Sequence, residues 1–479
     1  MEIIKFDGLT YLSEHISELP THCLLNKGIT GCGGTTVELK SKRDSIILCP
    51  TKNLVISKQS KDFLGVTGEV SNSEIINYIN TRRGFKKIIA TYNALSRLIE
   101  IIPNYSEYFL LIDEYHLLFN DYQFRSEPIM FILNNFKKFK QWCFMTATPL
   151  KDEFILEELK DINKIEYVWN NSIPVQITIK DTYFTQKTIT NLIEEIKDKN
   201  LHIFLNSVKT IKDLVNKLQL KNYRIVCANN EFNKITDPVC RYNFYTSCAF
   251  EGCDIYDKNG LCIIVSDTNI STTVLDITTK VRQICGRLRD SKYKDQIILI
   301  LNTSKHRYAG TFEEEFMDKV LALEILGKAN EETFKNASEV GKKSMLQGYH
   351  KETSASMYVN KYQDKLFYDP NLKYLDIYNY KLVTEIYNTS ISVLTELSSY
   401  FKTEEIERPK TGLEWINKVL NFTKEYTYQE LETIFKPLFE QHNLKWNKNN
   451  SIKLYFPTHT SKRKTINKKK ETYYRFNNY

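Results

Sequence analysis

Four short motifs stand in fixed order along the chain: Gly28-Ile-Thr-Gly-Cys-Gly-Gly-Thr35, Asp113-Glu-Tyr-His116, Thr146-Ala-Thr-Pro149 and Gln283-Ile-Cys-Gly-Arg-Leu-Arg289. Each residue set suits one task around a polyphosphate. Glycines 28, 31, 33 and 34 let successive backbone N–H groups approach anionic oxygens at the head of a helix. This makes Lys27, Gly28, Thr30, Gly31, Cys32, Gly33, Gly34, Thr35 and Thr36 the candidate nucleotide cradle. Asp113 and Glu114 end an apolar run, so they can divide two tasks: Asp113, with the Thr35 hydroxyl, holding Mg2+, and Glu114 polarising the attacking water. Gln283 with a guanidinium from Arg287 or Arg289 would neutralise charge developing on the γ-phosphate. The expected substrate is ATP with Mg2+.

One part departs from the phosphate-loop pattern G-x-x-x-x-G-K-[ST], because Gly34 stands where the lysine belongs. That lysine makes a charge-assisted contact worth about 1.5–3 kcal/mol in binding. Lys27, immediately ahead of the loop, is the candidate substitute, since a long ammonium stem reaches the same oxygens from a neighbouring position. The competing reading is a strand-end lysine facing solvent.

The elements that must carry these motifs are short apolar runs ahead of each: Cys23-Leu-Leu25, Ser45-Ile-Ile-Leu-Cys49, Lys87-Ile-Ile-Ala90, Tyr108-Phe-Leu-Leu-Ile112 and Gln141-Trp-Cys-Phe-Met145. Such runs read as buried parallel strands, with polar residues gathered at the carboxyl ends where open α/β sheets bind ligands. The rhythm repeats at 202–205, 223–227, 243–246, 261–265 and 296–301. The predicted architecture is α/β: two doubly wound parallel-sheet lobes over 1–155 and 175–305, then a helical region over 306–405. Thr311 with Glu314 predicts a capped helix closed by Gly327. The remainder, 406–479, reads as a small α+β, winged-helix-like module. It would have a helix over 412–421, a second helix capped by Thr427 and Glu430 reaching 443, and strands over 451–456 and 472–476 joined by a basic loop.

On the motifs of residues 20 to 305 the chain resembles a superfamily 2 helicase of the DExH type, with a variant phosphate loop lacking the usual lysine. The resemblance implies two RecA-like lobes and a nucleic-acid path along Pro50, Thr51, Lys52, Thr91 and Arg97 in the first. In the second lobe it implies backbone contacts from Asn206, Ser207 and Thr246, with Gly252 and Asp254 facing the nucleotide. Thr146-Ala-Thr148 would relay nucleotide state, and His116 would contact either that segment or the other lobe, or serve only structure. The family places its two arginines three apart, as QxxGRxxR, whereas Arg287 and Arg289 are two apart. On a helix that is a separation of roughly 200°. Either the segment is not regular helix or one arginine alone is the finger, Arg287 being the family-like choice.

Charge and composition narrow the partners. The formal net charge is +8, and near the C-terminus Lys462, Arg463, Lys464, Lys468, Lys469, Lys470 and Arg475 stand against Glu471 alone, which suits phosphate backbones. No apolar run approaches the roughly 20 residues of a membrane helix, and the first residues lack a secretory pattern. A cytoplasmic protein is therefore expected, in host cytoplasm if phage-encoded, as residue usage and a role in phage replication would fit. The ten cysteines form no CxxC pair, so reduced thiols and no structural metal are expected. The leading expectation is an ATP-dependent helicase or translocase on nucleic acid, DNA favoured and RNA open, with oligomeric state undetermined by sequence. The alternatives are a hydrolysis-deficient nucleic-acid-binding scaffold, supported directly only by Gly34, and a duplex translocase that does not separate strands.

Overall fold

The computed structural model describes residues 1–8, 11–58, 60, 62–170, 175–182, 184–229, 231–303, 311–404, 424–441, 446, 452, 459–466 and 469–476. Two parallel sheets dominate, as two tandem RecA-like lobes require. The first has eight strands in the spatial order Glu2–Asp7, Asn163–Asn170, Cys23–Asn26, Gln141–Thr146, Phe109–Asp113, Ser45–Cys49, Lys87–Thr91 and Leu64–Val66. The second runs Tyr223–Val226, Tyr242–Tyr245, Asn200–Phe204, Gly260–Asp267, Gln296–Asn302, Gln176–Asp181 and Lys402–Thr403.

Successive side chains of a strand point to opposite faces, and both faces here are covered, which is why the central runs are apolar throughout. Ile46, Leu48, Leu110 and Ile112 join one core. Their neighbours Ile47, Cys49, Phe109 and Leu111 join the core on the other face. Leu261, Ile263 and Val265 alternate with Cys262 and Ile264 in the same way in the second lobe.

Several expectations change. The first sheet does not stop near residue 155 but takes in Asn163–Asn170, which pairs with the N-terminal strand on one side and Cys23–Asn26 on the other. The helix expected to close at Gly327 runs from Glu313 to Asn336, and Phe312, not Thr311, precedes it with no side-chain cap. Its Ala, Leu, Glu and Lys content favours continuation through one glycine. Gly327 is glycine because a Cβ there would lie 2.7 Å from the Met357 carbonyl and 3.0 Å from the Tyr368 ring. The middle region also holds an antiparallel hairpin, Val359–Tyr362 with Lys365–Tyr368.

That region has a small cluster of its own, Phe334, Val359 and Leu366, and packs its other apolar side chains into the lobes. Phe316, Val320, Leu372, Leu375 and Tyr380 enter a first-lobe core. Tyr387, Val393 and Leu397 enter a second-lobe core, and Lys402–Thr403 adds an edge strand to the second sheet. Near the C-terminus, Thr427 and Glu430 form the expected reciprocal cap on helix Tyr428–Gln441. Lys462, Arg463 and Lys464 lie on a strand, Thr460–Ile466, rather than in a loop, because they pair antiparallel with Lys469–Arg475. The helix expected over 412–421 lies outside the described residues, as does the strand expected over 451–456 apart from the buried Ile452. Lys468 and the side chain of Lys469 lie outside them too.

Gly327→Ala should gain up to about 1 kcal/mol of helix propensity, yet it is expected to destabilise the protein by about 1–3 kcal/mol through overpacking against backbone. Urea denaturation of the two proteins measures the sign.

Candidate nucleotide site

The glycine loop leaves strand Cys23–Asn26 and ends on helix Gly34–Lys40. Gly28, Gly31 and Gly33 have positive φ, the conformation that a side chain disfavours. A Cβ on Gly28 would meet the Tyr167 carbonyl at 2.3 Å. The neighbouring Trp169 donates its indole N–H to the Lys27 carbonyl at 2.8 Å. Asn26 Oδ1 accepts from the Gly28 N–H at 3.0 Å. The Cys32 carbonyl accepts from the Leu12 N–H at 2.7 Å, tying the loop to the turn at Leu12–Glu14. Trp169 and Leu12 carry no motif signal, and sequence reading missed both.

Lys27 is not a solvent-facing lysine. It is buried, with Nζ 2.9 Å from Glu114 Oε1 and 3.5 Å from Asp113 Oδ1. Burial disfavours its ammonium, but the two carboxylates outweigh that cost and hold its pKa above the usual lysine value. Gly34 explains why the cation comes from this side. A Cβ on Gly34 would lie 2.6 Å from Met145 Sδ and 3.4 Å from Lys27 Cδ, so the space of a side chain at 34 is already filled.

Strand Phe109–Asp113 delivers the acidic pair. Asp113 Oδ2 accepts from the Thr35 hydroxyl at 2.8 Å, a pairing of hard oxygens that suits Mg2+. Glu114 has φ 52°, a left-handed geometry costly for a residue with a Cβ and common at functional sites. Its Oε2 accepts from the Thr146 hydroxyl at 3.0 Å and from Gln283 Nε2 at 2.8 Å. Burial alone would raise the Glu114 pKa. Lys27, then His116, overcome burial and bring it from the usual 4.5 down to about 2.

Gln283 belongs to the second lobe, so this last bond joins the lobes at the acidic pair. Gln283 Nε2 also reaches Thr148 Oγ1 at 3.1 Å, and Arg282 donates to the Ala147 carbonyl at 3.1 Å. His116 meets both of its expected partners. Its Nδ1 lies 2.8 Å from Thr146 Oγ1, and its Nε2 lies 3.7 Å from Glu251 of the second lobe.

The arginine spacing also resolves. The helix ends at Cys285, and Leu288 bridges Ile255 in parallel, so Arg287 and Arg289 flank an extended residue. Residues two apart on extended backbone share a side, and both arginines line the same pocket. Arg287 is buried and donates to the Gln283 carbonyl at 2.8 Å and to Gln283 Oε1 at 2.9 Å. Arg289 pairs with Asp254 and lies over the loop, where a Cβ on Gly31 would meet its guanidinium at 1.9 Å. A Cβ on Gly286 would meet Thr30 Oγ1 at 1.9 Å, and one on Gly252 would meet Leu54 at 2.9 Å, so glycines of the second lobe permit its close approach to the first.

Between the lobes lies a cavity of about 480 Å³. It brings together Lys27, Gly31, Gly33, Gly34, Thr35, Thr36, Asp113, Glu114, Gly252, Asp254, Arg287 and Arg289. Gly28, Thr30 and Cys32 support the loop from outside the cavity lining, and Gln283 sits behind it. Sequence reading missed Tyr11, Lys40, Lys58 and Tyr256, which also line it.

The residues expected along a nucleic-acid path lie at or after the strand ends, several with local partners. The Pro50 carbonyl accepts from Arg125 at 2.6 Å, Thr51 Oγ1 accepts from the Leu54 N–H at 3.3 Å, and Lys52 pairs with Glu69. Thr91 ends its strand, and Arg97 donates to the Thr67 carbonyl at 3.3 Å. Asn206 donates to the Thr272 carbonyl at 2.8 Å, Ser207 caps helix Val208–Lys217, and the Thr246 hydroxyl donates to the Val226 carbonyl at 3.4 Å. The basic C-terminal strands stand apart from the cavity; Lys462 pairs with Glu315, Lys464 with Glu425, and Lys470 is exposed.

No protein-family model and no curated protein sequence matches the chain. Among solved structures it is similar to Saccharomyces cerevisiae Dbp5 bound to RNA and ADP-BeF3, at 13% identity over 59% of this chain and 79% of that one, TM-score 0.42. It is similar to the Mycobacterium smegmatis helicase Lhr bound to ssDNA and AMP-PNP, at 13% identity over 74% of this chain and 57% of that one, TM-score 0.41. A DEAD box protein from Methanococcus jannaschii matches at 16% identity over 59% of this chain and 82% of that one, TM-score 0.30. At such values the likeness carries no chemistry, which rests on the side chains above. No helix among the described residues is long and apolar enough to cross a membrane.

Because the Glu114 pKa is depressed in the folded protein, its stabilisation is complete above the usual 4.5 and is lost as pH falls through about 2. The stability advantage of the wild type over Glu114→Gln is therefore expected to shrink between pH 4.5 and pH 2. Urea midpoints taken at stepped pH measure it.

Proposed function

We propose that the chain is an ATP-dependent helicase or translocase in which hydrolysis in the inter-lobe cavity drives movement along nucleic acid. The observation that carries this reading is the joint at Glu114. The carboxylate assigned to activate water is bound at once by Lys27 of the first lobe and Gln283 of the second. A change in nucleotide at this point is felt by both lobes, which is the coupling a motor needs.

In this reading Lys27 takes the place of the missing loop lysine and reaches the phosphates from the strand side. Thr35 and Asp113 would hold Mg2+, which when bound supplies positive charge to the phosphate oxygens. Arg287 and Arg289 face the same cavity and stabilise the charge that develops on phosphoryl transfer. Pro50, Thr51, Lys52, Thr91, Arg97, Asn206, Ser207 and Thr246 would follow the sugar-phosphate backbone. Contacts of that kind position a strand without reading its sequence. The strands bearing Lys462, Arg463, Lys464 and Lys470 give the C-terminal module a basic surface for the same partner, DNA in preference to RNA.

Hydrolysis measured with single- and double-stranded DNA and RNA tests the proposal. Stimulation by at least one of these, abolished in Glu114→Gln, is expected; an absence of stimulated hydrolysis by the wild type defeats the motor reading in favour of a binding scaffold. Lys27→Ala is expected to lower the rate by roughly 10- to 100-fold. Gly34→Lys alone should not raise it, because its space is filled. Wild-type hydrolysis by Lys27→Ala would show that Lys27 does not replace the loop lysine.

A further inference from the structure

Helix Pro370–Lys381 of the middle region meets both lobes at one side chain. The Tyr378 ring packs edge-on against Phe119, with centroids 5.4 Å apart, and against Phe154 at 4.8 Å, both in the first lobe. Its hydroxyl donates to Asp276 of the second lobe. Asp276 is buried and caps the segment Ile277–Val281, which runs directly into helix Arg282–Cys285. Its Oδ1 accepts from the Thr278 N–H and hydroxyl, each at 2.8 Å, and its Oδ2 accepts from the Thr279 hydroxyl at 2.7 Å. This carboxylate therefore fixes the start of the segment that presents Gln283 to Glu114 and then leads into Arg287.

A second tyrosine holds the preceding residue. Tyr387 donates its hydroxyl to the Leu275 carbonyl at 2.6 Å and accepts from the Ser266 hydroxyl at 2.9 Å. On the first-lobe side, Phe119 lies on the short helix His116–Asn120 that continues the acidic motif. Asn120 of that helix donates to Thr279 Oγ1 at 3.3 Å, and Lys381 pairs with Glu153 at 2.9 Å. The Tyr378 contact thus spans the element behind the acidic pair and the cap of the arginine-bearing segment, with no atom of the nucleotide cavity involved.

We infer that Tyr378 is a positioning residue: through Asp276 it sets the Gln283–Arg289 segment against Glu114, so that the middle region, and not nucleotide alone, determines the register in which the lobes meet. The kinetic consequence rests on the hydrolysis reading above; the structural consequence does not. Ring and hydroxyl divide the work. The ring is seated in the first lobe by apolar packing, and the directional hydroxyl bond orients the carboxylate of the second.

The test uses the full chain with distance labels at the exposed Asn77 and Lys187, one on each lobe, in wild type, Tyr378→Phe and Tyr378→Ala. Tyr378→Phe keeps the ring and loses only the hydroxyl bond. The expected result is an unchanged melting temperature, a KM for ATP within about twofold, a kcat roughly tenfold lower and a broader inter-lobe distance distribution. Tyr378→Ala should broaden it further. A merely structural role would lower the melting temperature without splitting kcat from KM. Wild-type kcat together with a wild-type distance distribution in Tyr378→Phe overturns the inference. If the wild type hydrolyses no nucleotide, the functional reading falls, and the distances still decide: identical distributions overturn the positioning role and a broadened one supports it.

Discussion

The burial of one ammonium between two adjacent carboxylates governs the rest of this structure. Asp113 and Glu114 follow one another at a strand end and are both buried, so two like charges taken out of water together call for a cation between them. Lys27 supplies that cation. Removing one partner of a buried ionic set typically costs about 3–5 kcal/mol because the remaining charge is left uncompensated. The same requirement reaches into the loop. The Cβ of a lysine at 34 would meet Met145 Sδ at 2.6 Å and pack directly against the Lys27 stem, so Gly34 leaves room for the cation to come from Lys27. On the proposed function, the altered phosphate loop is a rerouting of the cation.

The joint between the lobes follows from the same carboxylate. Glu114 has two oxygens: Oε1 faces Lys27 within its own lobe, and Oε2 faces Thr146 and Gln283. Gln283 suits the second position because a neutral amide donates to Glu114 through Nε2 and accepts from Arg287 through Oε1. Lysine there would donate without accepting, and glutamate would repel Glu114. The chain Lys27, Glu114, Gln283, Arg287 is thus a continuous hydrogen-bonded path from the glycine loop to the arginine segment, with complementary donors and acceptors at every link.

Much of this was legible in sequence because the central strands bury both faces and therefore read as unbroken apolar runs. The strands that escaped reading lack such a run. Glu2–Asp7 and Asn163–Asn170 alternate with charged or polar residues because they pair near the edge of the first sheet, and Leu64–Val66 is three residues long. The motifs located the cavity, and Gly34 pointed to Lys27, but whether Lys27 faced solvent depended on long-range packing against Asp113. The arginine spacing left open either irregular backbone or a single finger, and only the Ile255 bridge shows where the helix gives way. Trp169 and Tyr378 were invisible for a different reason. Each acts through a contact more than about a hundred residues away in sequence or across the lobes, and no local period encodes that.

The charge balance of the cavity bears on the choice between a motor and an inert clamp. Its lining holds Lys27, Lys40, Lys58, Arg287 and Arg289 against Asp113, Glu114 and Asp254. Lys27 is matched by the acidic pair and Arg289 by Asp254. Among the described residues, Lys40, Lys58 and Arg287 form no ion pair. A cavity with surplus positive charge at its rim and a buried guanidinium at its back is electrostatically incomplete, and on the proposed function a polyphosphate would complete it. A clamp that only held nucleic acid would gain nothing from burying Arg287 beside this cavity, since burial of a cation is costly. The hydrogen bonds from Arg287 to Gln283, with Asp254 and Glu114 nearby, lower that cost. On the proposed function, a guanidinium already held beside the cavity is what preorganised stabilisation of a developing negative charge requires.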